Sequence, residues 1–172
     1  MSGDWYPDLI KVFYANLRVE NGIICSRVKG VNNKLDEGIS SMIVGFKLGG
    51  HKSHLSVLVI NKLAIYKACL RNPDEPRDFT LFNVGGLKRD DRLCAFVIAW
   101  ILLPRGGNHA QLTIEDVYLL HALKGRLETD WTVVVCDHMV KISKQNMANL
   151  RYAAFLAGSC VIILLTSLMK LQ

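Results

Sequence analysis

The sequence predicts a mainly α (α+β) fold: a helical domain with one small antiparallel β-hairpin and a C-terminal apolar helix. Three observations predict it. Several segments repeat apolar residues at helical spacing, most strongly LCAFVIAWILL at 93–103. One Asn-Gly pair, Asn21-Gly22, separates two short β-compatible runs. Eighteen uncharged residues, Tyr152 to Met169, stand almost at the end of the chain.

The first helix is expected from Pro7 to about Leu17. Proline suits a first helical turn, where its missing N–H costs nothing, and Leu9, Ile10, Phe13 and Leu17 then share one face. In LRVENGIICSRVKGV the Asn-Gly pair supplies the positive φ angles of a tight hairpin turn. Asp36 suits the cap of a helix carrying Ile39, Met42, Ile43 and Phe46, and KLGGHKSHLS after it reads as loop.

A helix from Lys62 to Leu70 presents Leu63, Tyr66, Cys69 and Leu70 and stops before Asn72-Pro73. A short extended piece follows around Phe79–Phe82. Asp90 or Asp91 is placed to cap the segment 93–103, which has too few apolar residues to span a bilayer and reads as a buried central helix ending at Pro104. Thr113 caps the next helix with Asp116 in a capping-box pattern, closing near Gly125. The last helix before the tail starts near Asp130. Val133–Val135 has strand composition, but Trp131, Val134, Val135, His138 and Ile142 keep a helical period. Residues 1–145 thus read as one domain, and 146–172 as an apolar tail with a candidate transmembrane helix at about 152–169.

As a helix, the tract from Tyr152 to Met169 spans about 27 Å, close to the roughly 30 Å of a bilayer's hydrocarbon core. Its eight strongly apolar residues favour insertion by about 2 to 5 kcal/mol in sum. Lys141, Lys144 and Arg151 precede it and Lys170 follows, so the positive-inside tendency leaves residues 1–151 cytosolic, as in a tail anchor. A buried last helix of a globular domain fits the same length, and the two readings stay open.

A net charge of +6 and a pI near 9.1 are compatible with anionic partners, yet no dense Lys/Arg run marks a nucleic-acid patch. The N-terminus MSGDWYPDLIKVFYANL lacks a basic region followed by an apolar stretch, so no secretory signal is expected. Five widely spaced cysteines form neither a paired framework nor a Cys-x-x-Cys ligand pair, which points to an intracellular, reducing compartment. The protein is expected at a membrane if the tail inserts, and otherwise in cytoplasm or nucleus.

No residue set specifies a reaction, and no catalytic, cofactor-binding or metal-binding residue is expected. His51-x-x-His54 has metal-like spacing but sits in a Gly/Lys/Ser loop without a further ligand nearby. Cys136-Asp137-His138 lies on a helix, where adjacent side chains point apart. Of the acidic pairs Asp36-Glu37, Asp74-Glu75, Asp90-Asp91 and Glu115-Asp116, three stand where helix N-terminal charge is expected. The doublets Gly49-Gly50, Gly85-Gly86 and Gly106-Gly107 make no phosphate-binding loop. Lys88, Arg89 and Arg92 form a small basic cluster at a helix start and are the candidate nucleic-acid contacts.

Two stretches, YPDLIKVFYANLRVENGIICSRVKGV and CLRNPDEPRDFTLFNVGGLKRDDRLCAFVIAWILLPRGGNHAQLTIEDVYLLHALKGRLETDW, together with the region between them, resemble the plant transposon protein domain. That domain recurs in plant genomes, particularly legumes, within retroelement-like reading frames. The likeness covers about Trp5 to Ile142 and implies an association with mobile elements. It brings no catalytic residues with it. Around Gly38–Phe46 the sequence departs from the Trp-containing helical segment of the family. From about Gln145 the pattern fades, as expected of a shortened or rearranged copy. No Asp-Thr-Gly or Asp-Ser-Gly protease signature, Tyr-x-Asp-Asp polymerase motif or Cys/His knuckle is present. The expected role is that of a non-enzymatic, mobile-element-derived domain acting through protein or nucleic-acid contacts, with no small-molecule substrate. The alternatives are a tail-anchored membrane protein with a relic cytosolic domain, and an enzyme with a dispersed site.

Overall fold

The computed structural model describes residues 7–21, 23–36, 38, 49–55, 61–144 and 152. The chain divides into two compact units, one of Met1–Leu48 with Trp131–Gln172 and one of Gly49–Asp130. The expected helix after Asp36 and the apolar tract beyond Tyr152 lie outside the described residues. Among the described residues, no helix is long and apolar enough to cross a membrane.

The first unit begins with helix α1 (Pro7–Ala15), which buries Ile10, Phe13 and Tyr14 at helical spacing. Three antiparallel strands follow in chain order, β1 (Arg18–Glu20), β2 (Ile23–Val28) and β3 (Val31–Leu35). The register pairs Arg18 with Cys25, Ile24 with Leu35, Ser26 with Asn33 and Val28 with Val31. Because side chains alternate across a strand, Ile24, Ser26 and Val28 face inward while Cys25 and Arg27 face the other way. The turn from β2 to β3 needs two positive φ angles, at Lys29 (48°) and Gly30 (83°), as tight hairpin turns do. Ser26 Oγ donates to Phe13 O at 2.8 Å, so the one hydroxyl on the inner face of β2 is satisfied by α1. Helix α5 (Trp131–Ser143) completes the unit, adding Val135, Met139 and Ile142 to the core of Ile10, Phe13, Tyr14, Ile24, Val28 and Leu35. Each fully buried side chain of this size contributes about 1.5–3 kcal/mol.

The second unit contains α2 (Lys62–Cys69), β4 (Phe82–Asn83), α3 (Arg89–Val97), β5 (Gln111–Leu112) and α4 (Ile114–Gly125). Asn61 caps α2 by accepting from Leu63 N at 2.9 Å. Strands β4 and β5 pair antiparallel, and α2 and α3 both pack on α4. Tyr66 of α2 meets Phe82 edge-on at 5.1 Å and donates its hydroxyl to Asn83 O at 2.8 Å. The segment at His51 is fastened to the end of the unit. His51 N donates to Glu128 O at 2.7 Å, Asp130 N donates to His51 O at 3.0 Å, and the Ser53 and Thr129 hydroxyls lie 2.8 Å apart. Gly50 permits this approach, since with φ at 117° a Cβ there would stand 2.7 Å from Glu128 O.

These elements correct the expected fold class. Helix makes up about 49% and strand about 18% of the described residues, in five helices and two sheets, so the protein is mixed α/β and not mainly α with one hairpin. The added strand β3, VNNKL, hides its alternation because its inward middle residue is Asn33, whose Nδ2 donates to Val31 O at 3.1 Å. The segment 93–103 is also not a buried central helix. Ala95, Ile98, Ala99 and Leu103 are buried, while Leu93, Phe96, Trp100 and Ile101 are more than half exposed. Nor do Asp90 and Asp91 cap it. Lys88 precedes the first helical residue without a side-chain capping bond, and both aspartates sit in the first turn.

Candidate functional site

Helix α3 and the turn that continues it to Leu102 have two faces. Asp91, Ala95, Ile98 and Ala99 recur at helical spacing on the buried one. The other presents Arg89, Arg92, Leu93, Phe96 and Trp100, all exposed. After Val97 the helix widens into a π-type turn, Ile98–Leu102, closed by Leu103 N donating to Ile98 O at 2.8 Å. Such turns shift the helical register, and they are frequent at functional sites.

The loop after this turn is fixed from α4. Arg105 is paired with the buried Asp116 and also donates to Gln111 O at 2.7 Å. Asp116 completes the capping box by accepting from Thr113 N at 2.7 Å while its own N donates to Thr113 Oγ1 at 3.1 Å. Asn108 Oδ1 accepts from Ala110 N at 2.9 Å, and Val84 N donates to Ala110 O at 2.8 Å, which ties the loop to β4. Held this way, the His109 ring stacks on Trp100 with centroids 4.0 Å apart and planes 20° apart. Phe96 stacks on the same indole at 5.8 Å and 27°. Three rings therefore form a ladder along an open cavity of about 790 Å³, lined also by Val84, Arg89, Asp90, Arg92, Leu93, Ala95, Ala99 and Leu112. The small side chains of Ala95 and Ala99 leave the room, and the volume lies within the range of pockets that hold small ligands. His109 Nδ1 is buried with no hydrogen-bond partner among the described residues.

The three basic candidates separate here. Arg89 and Arg92 line the cavity, whereas Lys88 does not, and its Nζ donates to Ala68 O at 3.0 Å. Phe96, Trp100 and His109 were not foreseen. The only signal of Phe96 and Trp100 in the sequence is the uncharged run at 93–103, a pattern that reads first as burial, and the loop residue His109 has none.

The remaining candidates are dispersed. His51 is exposed and bridges to Thr129, while His54 is buried. No three of His, Cys, Asp and Glu gather to hold a metal ion among the described residues. On α5, Cys136 packs against the core of the first unit, Asp137 is exposed, and His138 Nδ1 lies 2.8 Å from the Tyr152 hydroxyl. Adjacent residues thus serve different surroundings.

One polar cluster lies behind α3. Lys124 Nζ of α4 donates to Asp91 Oδ2 at 2.9 Å and lies 3.5 Å from Cys69 Sγ. Burial, and after it the Asp91 charge, pushes the Cys69 thiol up. Cys94 is raised likewise, by burial and then by Asp91 and Asp90. Both sulfurs are therefore held protonated, which disfavours nucleophilic chemistry. The chain matches no protein-family model, no curated protein and no solved structure.

Proposed function

We propose that this chain is a non-enzymatic, mobile-element-derived domain whose cleft along α3 holds single-stranded nucleic acid. The observation that carries the proposal is the ladder of Phe96, Trp100 and His109 beside Arg89 and Arg92. Every base has a π-face, and stacking on an aromatic side chain is worth about 1–3 kcal/mol per base. Guanidinium groups match phosphate oxygens in fork geometry. The mobile-element origin rests on the sequence resemblance alone.

Anisotropy of a labelled oligothymidylate of about 10–16 nucleotides tests this. Trp100→Ala should weaken binding roughly 5- to 150-fold, the equivalent of one lost stack. Arg89→Gln and Arg92→Gln should each flatten the slope of log affinity against log salt by about 0.7. Unchanged affinity in Trp100→Ala defeats the reading.

A protein partner is the second reading, favoured by Leu93 and Ile101, each 63% exposed on the same helix. A partner whose binding needs those two residues but neither arginine would establish it. Membrane anchoring by Tyr152 to Met169 is a separate proposal resting on the tract's length and flanking charges. Retention in the pellet after alkaline carbonate, lost on deleting 152–172, is its expected outcome.

A further inference from the structure

We infer that the first unit carries its own contact for nucleic-acid phosphates, in a groove where the end of α1 leads into its three-stranded sheet and the outward-facing cations of β1 and β2 line the wall. The proposal rests on the reading that the chain handles nucleic acid, but it uses other residues and other chemistry. Alternation and register fix what that face presents. Arg18 is paired with Cys25, and Cys25 with Lys34. Arg27 follows two residues after Cys25, so Arg18, Arg27 and Lys34 share the face. Arg18 and Arg27 are diagonal neighbours across β1 and β2, a spacing of roughly 7–8 Å between backbones. Lys29 enters from the turn beyond. Glu20 is an acid on the same face, opposite Ile23 at the far end of β1, and the exposed Asp36 follows Lys34 by two residues.

A groove of about 630 Å³ runs where α1 meets this sheet, and Asn16, Arg18, Arg27 and Lys29 supply its polar lining. Among the described lining residues three are cationic and none is acidic. The groove is built on fixed backbone. Asn16 Nδ2 donates to Arg27 O at 2.9 Å, and Arg27 Nε donates to Gly30 O at 3.3 Å, which sets the plane of the guanidinium. Three like charges held at a concave surface repel one another, and a polyanion relieves that repulsion. Guanidinium forks favour phosphate oxygens over a diffuse negative surface. A membrane surface would instead call for a longer basic cluster or a larger apolar anchor beside the charges, whereas the exposed large apolar residue among the groove's described lining is Val12, 39% exposed. The partner is therefore the phosphodiester backbone of nucleic acid, read without base contacts.

Duplex DNA isolates this contact, because its bases are closed to stacking. Binding of the full-length chain to a labelled duplex of about 16 base pairs is measured across a salt series. The triple variant Arg18→Gln, Arg27→Gln, Lys29→Gln should reduce the slope of log affinity against log salt by about 2 to 3, near 0.9 for each cation removed. Lys29→Gln alone, in an exposed turn, should remove about 0.9 and shows the effect without disturbing the strands. Thermal melting of each variant separates lost contacts from lost folding. An unchanged slope in a folded triple variant overturns the inference, as does absence of duplex binding at low salt. Vesicles containing phosphatidylserine provide the other arm. If the variant loses vesicle binding and the native chain ignores duplex, the face belongs to a membrane and the inference is wrong. A single strand that depends on Trp100 while duplex binding ignores the three cations retains the cleft and rejects this face. The opposite pair of results retains this face and rejects the cleft.

Discussion

Lys124 shows how one residue links helices 33 positions apart in sequence. Burial by itself disfavours its charge, but the hydrogen bond and charge of Asp91, with the Cys69 sulfur, outweigh that and raise it above its usual 10.5. A raised value in the folded state gives stability that is complete below pH 10.5 and is lost as pH rises through the folded value. The side chain is 37% exposed, so solvent screening keeps the gain small. Urea unfolding from pH 8 to 11 should therefore show a modest alkaline loss in the native chain that Lys124→Met lacks. At neutral pH the same variant should be about 1–3 kcal/mol less stable, because Asp91 stays buried without its cation. Cys69 should resist iodoacetamide at neutral pH until the protein unfolds, since it is buried and its thiol is pushed up. Mass spectrometry of the alkylated chain checks this. Arg105→Met should cost more than Lys124→Met, about 3–5 kcal/mol, because Asp116 is more deeply enclosed. The Thr113–Asp116 box was legible in the sequence because its partners lie three residues apart. The Lys124–Asp91 and Arg105–Asp116 pairs were not, because nothing local says which distant charge a buried carboxylate will meet.

At the scale of elements, α3 separates stability from binding. Ile98 is fully buried and Trp100 is half exposed. Ile98→Ala should cost about 2–5 kcal/mol, whereas Trp100→Ala should cost under about 1 kcal/mol while weakening single-strand binding. Denaturant melts of the two variants test the contrast. The same helix shows why composition misleads. Eleven uncharged residues look like a core segment, yet the two alanines let one face sink while the aromatic face stays open. Elements with their own local chemistry were readable. Pro7 at a first turn, the Asn21-Gly22 turn and the helical period after Asp130 all led to elements present in the structure. Strand β3 was not readable, since Asn33 occupies its inward middle and only pairing with β2 gives it a face. Strands β4 and β5 have two residues each, too few to carry any period.

At the scale of the whole molecule, the first unit is discontinuous in sequence, and its core is closed by a helix that follows the entire second unit. Met139 is fully buried in that core, so a chain ending at residue 130 should keep the native NMR dispersion of the second unit and lose that of the first. Dispersed signals from α1 and β1–β3 in that fragment would contradict the account. The two-unit division left little trace in composition: Gly49-Gly50 stands where the chain leaves the first unit but reads as an ordinary loop, and no Pro/Gly-rich stretch marks its return at Trp131. The arrangement also sets an order of birth on the ribosome. The sheet of the first unit emerges early but waits for about 95 further residues before α5 begins, roughly 5–19 s at ordinary elongation rates. The contiguous second unit can close on itself in that interval. The part of the protein made first is thus finished last, and until then the apolar side of its sheet is covered by α1 alone and offers the place of α5 to whatever helps nascent chains.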